Sequence, residues 1–152
     1  MIVKDKVAVI YGGGGAIGGA VARAFAREGA RVFVTGRQLA SVEAVGREIV
    51  SAGGFAEAAE VDAVDERAID EHLQSVVDQA GRVDISFNAV GIPDTEIVGV
   101  PLLDLAVERF SLPITAYTTS YFLTARLAAR RMVANESGVI LTVTAIPARR
   151  SS

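Results

Sequence analysis

An apolar run, Val7 to Tyr11, leads through four consecutive glycines, Gly12 to Gly15, into an alanine-rich stretch with helical spacing. A short β-branched run of this kind builds a strand, and Val21, Ala24 and Phe25 fall near one face of the helix that follows. Few folds place so much bare backbone between a strand and a helix. Gly13, Gly15 and Gly18 also fit G-x-G-x-x-G. Glycines there keep the turn tight and let backbone N–H groups approach a pyrophosphate, while the helix N-terminus adds a favourable dipole. A turn that only packs helix on strand is the other reading, but four glycines in a row exceed its needs.

The pattern then alternates along the chain. Strands are predicted at Val7–Tyr11, Arg31–Thr35, Phe55–Val61, Val83–Asn88 and Val139–Thr144. Helices are predicted at Ile17–Glu28, Gln38–Ala52, Asp65–Ala80, Asp104–Phe110 and Ile114–Ala134, with Gly29 and Gly81 as closing residues and Asp65 as an N-cap. Strands alternating with long helices are βαβ units. The expected fold is therefore α/β, a doubly wound parallel sheet of the Rossmann type. Five strands are present, in a single domain spanning residues 1–152. No helix follows the fifth strand to cover it, which suggests that the C-terminal part of the fold is missing.

Composition excludes several classes. A net charge of −3 argues against a nucleic-acid surface. There is no cysteine and one histidine, His72, so no metal site is expected. The N-terminal apolar run is too short for a signal-peptide core or a membrane span. No membrane association is expected and the cytoplasm is the default location, so the Asn135-Glu136-Ser137 sequon reads as a chance match.

The end of the second strand bears on the ligand. A dinucleotide site often carries an acidic residue there for the ribose 2′-OH. Val34-Thr35-Gly36-Arg37 has none; Gly36 clears space and Arg37 suits a 2′-phosphate. This favours NADP(H) over NAD(H). The alternative is a solvated loop arginine.

VAVIYGGGGAIGGAVARAFAREGARVFVTGR resembles the opening of the short-chain dehydrogenase/reductase family. That family's Thr-Gly-x-x-x-Gly-x-Gly falls here on Tyr11, Gly12, Ala16 and Gly18, so Tyr11 replaces a threonine and Ala16 a glycine. EVDAVDE resembles the segment whose aspartate, here Asp62, sits near the adenine, with Ala63 beside it. VDISFNAVGI resembles the family's Asn-Asn-Ala-Gly strand, with Asn88, Ala89, Val90 and Gly91 aligned. FLTARLAARRM resembles the helix at the family's dimer interface, and SGVILTVTA its fifth strand. The resemblance implies hydride transfer between a nicotinamide dinucleotide and a small carbonyl or alcohol substrate. It places the pyrophosphate at Gly12, Gly13, Gly14, Gly15, Ala16, Ile17 and Gly18. Arg37 would take the 2′-phosphate, Asp62 and Ala63 the adenine, and Asn88, Ala89 and Gly91 the adenosine ribose side. It also implies a homo-oligomer formed through the helix at 114–134.

The family's acid is a tyrosine with a lysine four residues on. The tyrosines here are Tyr11, Tyr117 and Tyr121, and the only lysines are Lys4 and Lys6, so no Tyr-x-x-x-Lys exists. The family's serine aligns with Ala145, leaving the neighbouring Thr144 as a catalytic candidate, and the helix asparagine aligns with Tyr117. The first reading is the N-terminal portion of a longer oxidoreductase, with this chain alone turning over poorly or not at all. The alternative is a non-catalytic NADP(H)-binding or regulatory module.

Overall fold

A computed structural model describes residues 2–93 and 95–144. Its strands are β1 (Val7–Tyr11), β2 (Arg31–Gly36), β3 (Phe55–Glu60), β4 (Ile85–Asn88) and β5 (Val139–Thr142). Its α-helices are α1 (Ala16–Arg27), α2 (Leu39–Ser51), α3 (Glu66–Ala80) and α4 (Val107–Val133), with a single 3-10 turn at Leu102–Asp104. The strands form one sheet in the order β3-β2-β1-β4-β5. Every neighbouring pair is parallel, with Val7 opposite Arg31 and Ala8 opposite Ile85. This is the doubly wound α/β sheet that the alternation predicts.

Burial on both faces explains the unbroken apolar strands. On β1, Val7, Val9 and Tyr11 enter one core with Ile69, Leu73 and Val76 of α3 and Leu123 and Leu127 of α4. Ala8 and Ile10 enter the opposite core with Ala22 of α1 and Val42, Val45 and Ile49 of α2. Both caps of α3 are as the sequence predicts. The Asp65 carboxylate accepts the Ala68 N–H at 3.0 Å, and Gly81 takes the left-handed conformation at φ +80°.

Most element ends agree with expectation or shift by a single residue, and three differences are larger. The helices expected at Asp104–Phe110 and Ile114–Ala134 are one helix, α4, with Pro113 inside it. Proline removes a single i→i−4 bond. Here the carbonyl left unpaired belongs to Arg109, in a stretch exposed enough for water to take its place. The strand expected from Val83 starts at Ile85, because Asp84 bonds the Val7 N–H through its carboxylate at 2.9 Å ahead of the ladder. The strand expected to reach Thr144 ends at Thr142, although the Val143 N–H still bonds the Asn88 carbonyl at 2.9 Å. Among the described residues, no helix is long and apolar enough to cross a membrane.

Candidate functional site

The carboxyl ends of β1, β2, β3 and β4 lead into the segments that hold the expected site residues. Gly12 leaves β1 with φ +69°, and a Cβ there would lie 2.5 Å from the Ala89 carbonyl oxygen. Only glycine satisfies both constraints. A Cβ on Gly18 would collide with the Gly12 carbonyl, one on Gly13 with the Val34 side chain, and one on Gly14 with Ser41 at 2.7 Å. These four glycines therefore also meet a packing need, the part of the pattern that a plain turn explains. Gly15 differs, since a Cβ there would meet only the Gly12 oxygen, at 3.4 Å.

What the packing leaves over is a set of donors. Gly13 N–H bonds the Thr35 carbonyl at 2.8 Å, and Gly15 N–H bonds that of Gly12 at 3.1 Å. The N–H groups of Gly14, Ala16, Ile17 and Gly18 have no acceptor among the described residues. The first turn of α1 contains no acidic side chain, and its N-cap, Gly15, provides no side-chain cap. Unpaired N–H groups at the positive end of a helix suit the oxygens of a phosphate or pyrophosphate. Gly14, Gly15, Ala16 and Ile17 are exposed, so an anion has access.

Tyr11 stands where the resemblance puts a small hydroxyl. Its side chain is fully buried, its hydroxyl has no partner among the described residues, and burial pushes its phenol well above the usual value despite Arg131 nearby. The tie to the neighbouring strand comes instead from β2, where the Thr35 hydroxyl donates to the Ile10 carbonyl at 3.1 Å.

On one side of this loop, Arg37 follows β2 directly, is exposed, and makes no ion pair among the described residues. The Val61 N–H bonds the Gly36 carbonyl at 3.0 Å, which keeps the ends of β2 and β3 together. Asp62 is exposed and its carboxylate accepts the Val64 N–H at 3.1 Å, whereas Ala63 is buried in the core.

On the other side, Asn88 differs from what the resemblance implies. Its side chain is 1% exposed and turned inward. The amide donates to the Thr124 hydroxyl at 3.1 Å and the Ser120 hydroxyl at 3.4 Å, and its oxygen accepts the Val90 N–H at 3.0 Å. Only its backbone stands at the sheet's end. Ala89 N–H bonds the Tyr11 carbonyl at 2.9 Å, and a Cβ on the exposed Gly91 would meet nothing within 4 Å. Thr144 is exposed one residue past Val143, whose carbonyl accepts the Tyr121 hydroxyl at 2.6 Å. Burial raises the Tyr121 phenol, and Tyr117 beside it adds to the rise. Ala145 lies outside the described residues.

Sequence reasoning missed Ser120 and Thr124 as partners of Asn88. Their signal was available, as two hydroxyls four residues apart on a helix face that also carries Leu123 and Leu127. It also missed Asp84, buried at 4% exposure and held by Arg82 at 2.5 Å. No group of residues suited to a metal ion exists among the described residues. A concavity of about 310 Å³ between α1 and α2, lined by Arg23, Glu48 and Gly54, lies away from the glycine loop.

Comparison with known proteins agrees with this geometry. The family model described as short chain dehydrogenase matches residues 6–152. The chain is 31% identical to 7alpha-hydroxysteroid dehydrogenase of Escherichia coli (strain K12) over 150 residues, 99% of this chain and 57% of that protein. It is 29% identical to the uncharacterized oxidoreductase UxuB of Bacillus subtilis (strain 168), over 96% of this chain and 56% of that protein. The crystal structure of a metagenomic short-chain oxidoreductase in complex with NADP superposes with a TM-score of 0.86 at 30% identity, covering 100% of this chain and 67% of that one. The chain thus spans little more than half the length of these curated relatives. With the fold, the glycine turn and the family match in agreement, the chain belongs to the short chain dehydrogenase family.

Proposed function

We propose that residues 1–152 form a single NAD(P)-binding domain of an oxidoreductase that moves a hydride between NADP(H) and a small carbonyl or alcohol substrate. The observation that carries this reading is the uncapped start of α1, where the N–H groups of Gly14, Ala16, Ile17 and Gly18 are unpaired. The backbone from Gly12 to Gly18 holds the pyrophosphate. Arg37, exposed and without an ion pair among the described residues, takes the 2′-phosphate, which favours NADP(H) over NAD(H). Asp62 and the backbone of Ala63 bound the adenine. Asn88 contributes through its backbone, with Ala89 and Gly91, to the ribose side. When bound, the nicotinamide supplies the hydride chemistry, and the protein binds and orients. Thr144 is the hydroxyl nearest the family's serine position and is assigned to the substrate.

The chain has no Tyr-x-x-x-Lys. Loss of a general acid typically lowers rate by about 10²–10⁴-fold, so the purified chain binds cofactor but reduces carbonyls poorly. Phe122 is exposed on α4 and stacks with Arg126, whose guanidinium lies 5.5 Å from the ring centre. This face of residues 114–134 is assigned to a second copy of the chain.

The test is calorimetric titration of the full chain with NADPH and NADH. The expected result is saturable NADPH binding, about tenfold tighter than NADH, with the difference abolished in Arg37→Ala. Absence of saturable binding by either nucleotide overturns the reading. Equal binding of both overturns only the assignment of Arg37.

A further inference from the structure

Tyr117 and Tyr121 stand one turn apart on α4, with ring centroids 6.0 Å apart. Their hydroxyls reach two different loops. The Tyr121 hydroxyl donates to the Val143 carbonyl at 2.6 Å, just past β5. The Tyr117 oxygen accepts the Ile92 N–H at 3.4 Å, four residues past the end of β4. Each phenol has one proton to give. The Tyr121 O–H is committed as a donor to the Val143 carbonyl, whereas the Tyr117 proton has no acceptor among the described residues. Tyr117 is also only partly buried, so that proton has access to the space beyond the sheet.

The strand order says which part of a bound dinucleotide would reach that space. The glycine turn follows β1, the central strand, and Arg37 and Asp62 follow β2 and β3 on one side of it. Ile92 and Val143 follow β4 and β5 on the other side. A dinucleotide with its pyrophosphate at the glycine turn and its adenosine toward Arg37 and Asp62 lays its second nucleoside over the loops after β4 and β5. Ligands of open α/β sheets lie across this kind of crevice. Tyr117 is a side chain there with an uncommitted donor; the exposed Thr144 hydroxyl is the other, and it is assigned above to the substrate. A phenylalanine would serve packing against Tyr121 equally well, so packing does not account for the hydroxyl.

We propose that Tyr117 is a positioning residue for the nicotinamide half of the cofactor: its hydroxyl donates to an oxygen of that nucleoside and accepts the Ile92 N–H of the loop after β4. This rests on the dinucleotide reading above. It goes beyond that reading in giving a role to a residue that stands where the family's asparagine is aligned.

Two probes separate the halves of the ligand: NADP+, and adenosine 2′,5′-bisphosphate, which lacks the nicotinamide nucleoside. The chain has three tyrosines and no tryptophan, so full-length protein labelled with ring-¹³C tyrosine gives three residues' signals. The signal of Tyr117 is the one lost in Tyr117→Phe. That signal is expected to move with NADP+ and to stay in place with the bisphosphate. Tyr117→Phe is expected to bind NADP+ about three- to tenfold more weakly, the effect of one hydrogen bond. Its unchanged affinity for the bisphosphate would show that the variant is folded. If wild type binds both probes but the Tyr117 signal ignores NADP+, the proposal is overturned and the dinucleotide reading stands. The same holds if Tyr117→Phe binds NADP+ as tightly as wild type, or loses affinity for both probes alike. If wild type binds neither probe, the dinucleotide reading falls and takes the placement of Tyr117 with it.

Discussion

The side-chain amide of Asn88, at the end of β4, donates to the hydroxyl of Thr124 on α4 across 3.1 Å, a tie buried from solvent on both sides. Its other amide bond reaches Ser120, and its oxygen holds the Val90 N–H. One side chain thus fixes the helix against the strand and starts the turn that carries Ala89 to Gly91. Asn88→Ala removes all three bonds and leaves a cavity, and is expected to lower stability by about 2–3 kcal/mol. Urea denaturation measures this. A loss below about 0.5 kcal/mol, of the size seen at surface positions, would show that the tie matters little.

Two glycines in the same turn are expected to behave oppositely. Gly18→Ala pushes a methyl into the Gly12 backbone and is expected to cost about 3 kcal/mol or more, with loss of nucleotide binding. Gly15→Ala meets only the Gly12 oxygen at 3.4 Å, so its stability cost stays within about 1 kcal/mol, mostly from a poorer N-cap. Thermal melts and titrations of both variants check the contrast. Equal destabilisation would contradict the packing described for this turn.

Tyr11 gives a prediction of unusual sign. Its hydroxyl is buried with no partner among the described residues. Removing an unsatisfied hydroxyl relieves a desolvation penalty of about 1–3 kcal/mol. Tyr11→Phe is therefore expected to raise stability by about 1 kcal/mol, read as a higher urea midpoint at unchanged slope. A loss of similar size would mean that the hydroxyl is hydrogen-bonded after all, through an internal water.

His72 sets a pH dependence. Burial holds its imidazole down to about 4, against a weaker opposing pull from Glu57, and its Nδ1 has no partner among the described residues. In the unfolded chain the same group titrates at about 6.5. Between these values the unfolded state binds the extra proton, so stability rises with pH. The contribution is complete above about pH 6.5 and is lost as pH falls toward 4, reaching at most about 3 kcal/mol. Urea midpoints measured from pH 4 to 8 should show this slope, and His72→Phe should flatten it. A slope unchanged by the substitution would assign it to other groups.

The strands and the glycine turn were legible because burial on both faces demands apolar runs and the turn demands bare backbone. Val7–Tyr11 and Gly12–Gly18 carry both signals in one stretch. Asp65 and Gly81 marked the ends of α3 because capping is local chemistry, contained within a few residues. The gap expected between Phe110 and Ile114 did not appear, because Pro113 is tolerated inside α4 where the carbonyl it leaves unpaired is exposed, which sequence does not state. Asn88 was legible as the end of β4 but not in the direction of its side chain. A side chain turned toward Ser120 and Thr124 is separated from them by 32 and 36 residues. The hydroxyl contacts of Tyr117 and Tyr121 were hidden for the same reason, since each spans more than twenty residues of chain.

The sheet order also carries a timetable. β1 pairs with β2 after a short excursion through α1, but with β4 only after most of the chain between them has been made, since Val7 and Asp84 are 77 residues apart. Closing the longer loop loses more chain entropy, and contacts distant in sequence form more slowly. The β1-α1-β2 unit is therefore expected to form first, with the docking of β4 following. Gly12 faces Ala89 across that late seam. The glycine turn is half built by its own strand and helix and completed only when β4 arrives. A nucleotide that needs the finished turn would then bind only after this step and pull the folding equilibrium forward by mass action.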